Sequence, residues 1–262
     1  MHKVARLFAL EWSTMLQYRF DLILWVLTEA ATPLISLVIW YTVSQSGSFA
    51  LSSQDTLTYY ILIIFVIVAT SAWNGFFFSR QILNGEITFY LTRPLSIFWR
   101  HIANNIVEKV IKFIIPVPLV VITAVVFPAV FSPAIYDPWR LLLFTISLIL
   151  GTAVAFVLDM NLGILAFWLE DANQLRRYKD LLHEVSSGIL IPFAALPAVA
   201  FTIFSFLPFR YVISVPIEIL MNQQLDSLGK LFGLQIAWLV GLTALLALLW
   251  RRGLKRYAVP TQ

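Results

Sequence analysis

The sequence predicts an all-α integral membrane protein with six transmembrane segments, and three observations carry that reading. Of its 262 residues, 60% are hydrophobic and only 12% charged, where a soluble domain carries about 25%. Mean hydropathy is +0.85. The apolar residues fall into runs near the ~20 needed to cross a ~30 Å hydrocarbon core, and Lys and Arg gather at the ends of those runs. The net charge of +4 is therefore read as a topology signal rather than a nucleic-acid surface. Nine Trp and nine Tyr suit the membrane interfaces. The absence of Cys excludes disulfides, thiolate metal sites and cysteine nucleophiles. No cleavable leader is expected, because the first apolar run starts far in and lacks a small-residue cleavage site.

Taken in order, residues 1–20 mix Val4, Leu7, Phe8, Met15 and Tyr18 with Lys3, Arg6, Glu11 and Arg19 at helical spacing. This is the pattern of a helix lying in the interface. The first span follows at 22–43, with Glu29 and Pro33 inside it. An acid at mid-depth costs about 2.5–3.5 kcal/mol, so Glu29 should face protein or water rather than lipid. Residues 44–56 hold no Lys or Arg, which puts them outside. A second span at 57–78 returns the chain to the cytoplasm. A third, at 106–130, contains Pro116 and Pro118, which predict a kink. The fourth starts near Trp139, with Gly151 and Ala155 offering a small packing face.

Residues 166–187 read as one helix with two faces. Leu169, Ala172, Leu175, Tyr178, Leu181, Leu182 and Val185 are opposed by Glu170, Asp171, Arg176, Arg177, Lys179, His183 and neighbouring polar groups. Two placements fit: a cytosolic helix followed by a span at 187–207, which the charges favour, or the inner part of span five facing a watery path. Pro192, Pro197 and Pro208 argue for a broken hairpin over 188–216 rather than one straight helix. A last span at 231–250 ends in Arg251, Arg252, Lys255 and Arg256, which sets the C-terminus in the cytoplasm. The whole of 1–262 is thus expected to be one transmembrane domain.

The insert at 80–100 is the stretch built to touch something. Asn84-Gly85-Glu86 is a turn signal, Arg93-Pro94 a break, and an apolar patch of Ile87, Phe89, Tyr90 and Leu91 lies between them. It reads as a short helix beneath the membrane that takes up a push from a soluble partner. No phosphate-binding loop, H-E-x-x-H or G-x-S-x-G motif occurs, and His2, His101 and His183 are scattered. The chain is therefore expected not to be an enzyme, and any uphill work must draw on a partner or an ion gradient.

This order of features resembles the membrane subunit of the second class of ABC exporters, the ABC-2-type transporter permease family. Residues Gly85 to Ser96 match its G-E-x-x-x-x-L-x-R-P-L-S motif, and Ala166 to Glu170 its A-F-W-x-E. Ser187-Gly188 to Pro192, then Pro197, Leu207-Pro208-Phe209 and Pro216 are similar to its S-G-x-x-x-P … P … L-P-F … P signature. The resemblance implies that the insert is a coupling helix seated on a separate ATPase. Gly85 would start it, Glu86 would make a polar contact with the ATPase or the interfacial helix, Leu91 and Arg93 belong to the motif, and Pro94 would end it. It implies that the charged helix belongs to span five, with a re-entrant outer hairpin after it gated at Gly188, Pro192, Pro197 and Pro208.

It also implies a second permease chain, identical or related, and two ATPase chains, with ATP and magnesium on the ATPases and no cofactor here. The location implied is the inner (plasma) membrane, and the cargo a drug-like or amphipathic compound. Glu29, Glu170, Asp171, Arg176, Arg177, Lys179 and His183 are the candidate path residues, whose mixed signs suit an amphipathic or zwitterionic solute. Two other classes stay open: an ion-coupled secondary transporter working through Glu29, Asp159 or Glu170, and a non-transporting scaffold. The first would function in vesicles without any ATPase.

Overall fold

The computed structural model describes residues 2–47, 49–92, 96–170, 173–223 and 226–257. Among them every regular element is helical. Helix α1 (His2–Gln17) is parted from α2 (Arg19–Ser44) only by Tyr18. Helix α3 (Ser53–Thr70) starts on a reciprocal cap: the Ser52 hydroxyl accepts from Asp55 N–H and donates to the Asp55 carboxylate. Helices α4 (Asn74–Leu83), α5 (Ile87–Leu91), α6 (Ile97–Lys112), α7 (Pro116–Val126) and α8 (Pro138–Ile164) follow. The chain ends with α9 (Asn173–Ser186), α10 (Ala198–Ser205), α11 (Pro208–Val212), α12 (Ser214–Leu220) and α13 (Leu228–Tyr257).

Five helical stretches are long and apolar enough to cross a membrane: Arg19–Ser44, Ser53–Leu83, Ile97–Val126, Pro138–Phe167 and Leu228–Tyr257. The kink expected from Pro116 and Pro118 lies just before them, at 113–115, because Pro116 occupies the first turn of α7, where its missing N–H costs nothing. Residues 166–187 do not form one helix: a 3₁₀ turn covers Leu165–Phe167 and α9 begins only at Asn173. Nor does a straight span form at 187–207. Pro192 and Pro197 each hold extended backbone, and residues 173–220 divide into four α-helices and one 3₁₀ turn.

The core gathers round Ser53–Leu83, the most buried of the five stretches. Tyr60, Ile63 and Val66 of α3 pack with Phe131, Phe144 and Val154, and with Val212, Ile213 and Ile217 of the α11–α12 segment. Every residue from 208 to 221 is buried. Gly151 permits this, since a Cβ there would press on the Tyr211 and Val212 carbonyls. Gln235 of α13 donates to the Tyr211 carbonyl at 2.8 Å and bonds Ser147 of α8, tying three elements at one buried point. Outward, α2 exposes Ile35 and Val38, α7 Val125, α8 Ile149 and α13 Val240, surfaces suited to lipid rather than water.

Candidate functional site

The second membrane stretch is not continuous. Residues 71–73 are non-helical, and the carbonyls they free are met by side chains from elsewhere. Ser71 O accepts from Lys109 Nζ at 2.7 Å and from Asn105 Nδ2 at 3.2 Å, and Ala72 O accepts from Arg176 Nη2 at 3.2 Å. Gly75 N–H, freed at the start of α4, donates to Asp159 Oδ2 at 2.6 Å. The same carboxylate faces Arg176 at 3.6 Å and Lys179 at 3.9 Å. One break thus holds α4, α6, α8 and α9 together.

Helix α9 is inside out. Arg176 is buried and Lys179 and His183 are partly covered, while Leu175, Tyr178, Leu181 and Leu182 are exposed. A soluble amphipathic helix would show the reverse. Arg176 and Lys179 of the charged face are turned into the protein, where Asp159 and Asp180 neutralise them, while Arg177 and Glu184 stay exposed. Helix α1 shows the same inversion: Glu11 is buried while Leu10, Trp12 and Leu16 are exposed.

The candidate path residues do not all meet. Glu29 faces protein, 3.2 Å from Lys112, which also pairs with Glu108 at 2.8 Å. Arg176 and Arg177 line a cavity of about 980 Å³ between α1, α2, α4, α6 and α9. Lys179 pairs with Asp180 at 2.6 Å, and the His183 ring rests edge-on against Phe209. Glu170 is exposed and lines no part of this cavity. Asp171 lies outside the described residues. Asp159 and Lys109 are the residues that sequence reasoning left out of the path. Their signal is the usual one, a charge inside an apolar run.

The insert between α4 and α6 forms the expected turn. Gly85 has φ +75, which a glycine adopts without strain, and its carbonyl accepts from Tyr257 Oη at 3.2 Å, at the far end of the chain. Ile87 is fully buried whereas Phe89 and Leu91 are exposed. Tyr90 meets Arg100 Nη1, and Arg100 Nε bonds Glu11 of α1 at 3.1 Å. The chain's own link to α1 therefore runs through Tyr90, Arg100 and Glu11. Glu86 is exposed, its carboxylate accepting from Asn84 Nδ2 at 3.2 Å. Arg93 and Pro94 lie outside the described residues.

At the opposite end, Gly188 has φ +97 and its carbonyl accepts from Tyr59 Oη at 3.1 Å. Ser214 Oγ donates to Ser187 O at 2.6 Å. Pro192 precedes a short 3₁₀ turn, Pro197 precedes α10, and Pro208 opens α11. Beneath them sits a group absent from the candidate residues. Arg210, fully buried, binds Glu218 at 2.9 Å, Asp226 at 3.0 Å and Ser205 at 3.0 Å, with its guanidinium 4.7 Å from the centre of the Phe193 ring. Among the described residues no group of His, Asp and Glu is arranged to hold a metal ion.

These features define a multi-pass α-helical membrane protein whose buried polar groups are grouped round the break at 71–73 and round Arg210. The family model described as ABC-2 family transporter protein matches residues 26–260, so the chain belongs to the ABC-2 family. A comparison with curated proteins finds no match.

Proposed function

We propose that this chain is the permease half of an ATP-driven exporter for drug-like or amphipathic compounds. It works beside a second permease chain, identical or related, and two separate ATPase subunits that carry ATP and magnesium. The segment 173–220 makes the sixth crossing. The hydrogen bond from Tyr257 to Gly85 supports this, because it brings the end of α13 back to the end of the bundle where α4 finishes. Five crossings alone would leave the start of α2 and the end of α13 on opposite sides. With both termini in the cytoplasm of a cell bounded by this inner (plasma) membrane, residues 188–216 form the outer re-entrant hairpin, and 1–262 is a single transmembrane domain.

One observation carries the reading. The Gly85–Leu91 insert is exposed at its apolar tip yet tied to both ends of the chain, through Tyr90–Arg100–Glu11 and through Tyr257. A push on Phe89 and Leu91 by an ATPase moves α4, α1 and α13 together. Helix α4 leads to the break at 71–73, and Arg176 and Asp159 pass the movement to α9 and to the hairpin beyond it. Bistable packing of this kind converts a small shift at one end into a change of state at the other.

Two variants test the coupling. Glu86→Lys and Pro94→Ala should each insert and assemble normally but lose at least about tenfold in transport per ATP hydrolysed, a loss of roughly 1.4 kcal/mol of coupling. Transport and ATPase rates are measured on the same proteoliposomes. Normal export by both variants would end the coupling assignment. Transport by the purified chain alone, with no ATPase, would end the whole reading.

A further inference from the structure

The cavity beside the N-terminal helix has a chemistry that the coupling scheme does not use. One wall is a single face: Tyr18, Asp21, Leu22 and Trp25 follow one another at helical i, i+3, i+4 and i+7 spacing. Facing it are the break residue Trp73, whose ring lies 5.1 Å from that of Trp25, and α9 with Arg176 and Arg177. The Arg176 guanidinium is 4.4 Å from the Trp73 ring centre, so a cation already occupies that aromatic surface.

Most charges lining the cavity are cancelled within the protein. Glu11 is taken by Arg100, Glu108 by Lys112, and Asp180 by Lys179. Two remain. Asp21 on α2 and Arg177 on α9 are exposed, and neither has an ionic partner among the described residues. They are of opposite sign and belong to different walls. Between them the lining is largely aromatic, with Trp25, Trp73 and Phe77 partly or well exposed. A bare inorganic ion would leave the apolar surface of these rings unburied, and a singly charged ligand would leave one of the two charges unmatched or opposed.

We propose that this cavity binds a zwitterionic amphiphile. Its cationic group sits at Asp21 between the Tyr18 and Trp25 rings, its anionic group meets Arg177, and the start of its apolar chain lies along Phe77. The volume of about 980 Å³ accommodates a headgroup and the first part of a chain. Helix α1 forms the rim, and its exposed Leu10 and Leu16 continue the apolar surface outward, so an amphiphile slides in from the interface without its head leaving polar surroundings. The proposal deepens the permease reading and rests on it only in taking this rim to lie at a membrane surface.

Equilibrium binding to the purified permease complex, in a neutral maltoside detergent, tests it. Three probes share one short alkyl chain: an alkylphosphocholine, an alkyl phosphate and an alkyltrimethylammonium. The phosphocholine should bind at least about tenfold more tightly than either singly charged probe, since it alone combines the ionic and ring contacts of its ammonium at Asp21 with hydrogen bonds from Arg177 to its phosphate. Asp21→Asn should weaken the phosphocholine and the ammonium about tenfold and leave the phosphate unchanged. Arg177→Gln should weaken the phosphocholine and the phosphate and spare the ammonium. Trp25→Ala should weaken all three. Equal affinities for the three probes, or unchanged phosphocholine binding in both charge variants, overturns the assignment. If ATP-driven transport of an unrelated dye persists in that case, only this site falls and the permease reading stands. If the charge dependence is found but no ATPase assembles with the chain, the site stands and the permease reading falls.

Discussion

Gly75→Ala should leave little folded protein in a detergent extract, a loss of ~3 kcal/mol or more from overpacking that cannot relax. A Cβ at Gly75 would fall on the Asp159 backbone carbonyl, and one at Gly163 on the carbonyl of Gly75 itself. Two backbones therefore touch at the crossing of α4 and α8, and neither contact is with a flexible side chain that could step aside. Moving α4 away breaks the 2.6 Å bond from Gly75 N–H to Asp159 and withdraws that carboxylate from Arg176 and Lys179. It also opens the cluster of Phe78, Ile82, Met160 and Ile164 packed around the crossing. Gly163→Ala should behave in the same way. Gly241→Ala is the control, because nothing lies within 4 Å of a Cβ there, and alanine favours the helix by roughly 1 kcal/mol. Melting curves followed by size-exclusion fluorescence decide the matter. A curve for Gly75→Ala matching that for Gly241→Ala would show that the crossing is looser than its geometry.

The long helices were legible because hydropathy alone requires them: in lipid the backbone must satisfy itself. The Asn84-Gly85-Glu86 turn and the kink before Pro116 were legible because glycine and proline act locally. The break at 71–73 was not. Ser71, Ala72 and Trp73 contain no helix breaker, and the groups that satisfy their carbonyls, Lys109 and Arg176, are distant in sequence. Helix α9 shows a second limit. Periodicity separated its two faces, but which one turns inward depends on whether the surroundings are water or lipid, and Arg176 is buried while Tyr178 is exposed. Glu170 was grouped with that charged face because 166–187 was read as one helix, whereas the helix begins only at Asn173. The wiring of the insert depends on Glu11, Arg100 and Tyr257, three residues that no local pattern joins.

Arg210 is where sequence reasoning was least informative and where the second large effect is expected. Arg210→Ala should cost about 3 kcal/mol or more, because it removes a fully buried cation that Glu218 and Asp226 both bind. The cost is not that of one salt bridge, because the same guanidinium also holds Asp226 and Ser205. A double variant, Arg210→Met with Glu218→Met, should recover most of the loss, since paired hydrophobic replacements of a buried ion pair are often neutral. Asp226 retains Lys230 at 2.6 Å in that background. Its own titration gives a further check. Burial pushes the Asp226 carboxyl up, but hydrogen bonds from Lys230 and Arg210 outweigh this and hold it below its ordinary value. A carboxyl lowered in the folded state stabilises above its unfolded pKa, and that contribution is lost as pH falls through the lowered value. The stability gap between the native chain and Asp226→Asn should therefore be flat near neutrality and close only below about pH 4. Arg210 reaches α10 through Ser205, α12 through Glu218 and the approach to α13 through Asp226. If the double variant recovers its stability but not its transport, the ion pair serves the movement of the α10–α12 segment as well as its folding.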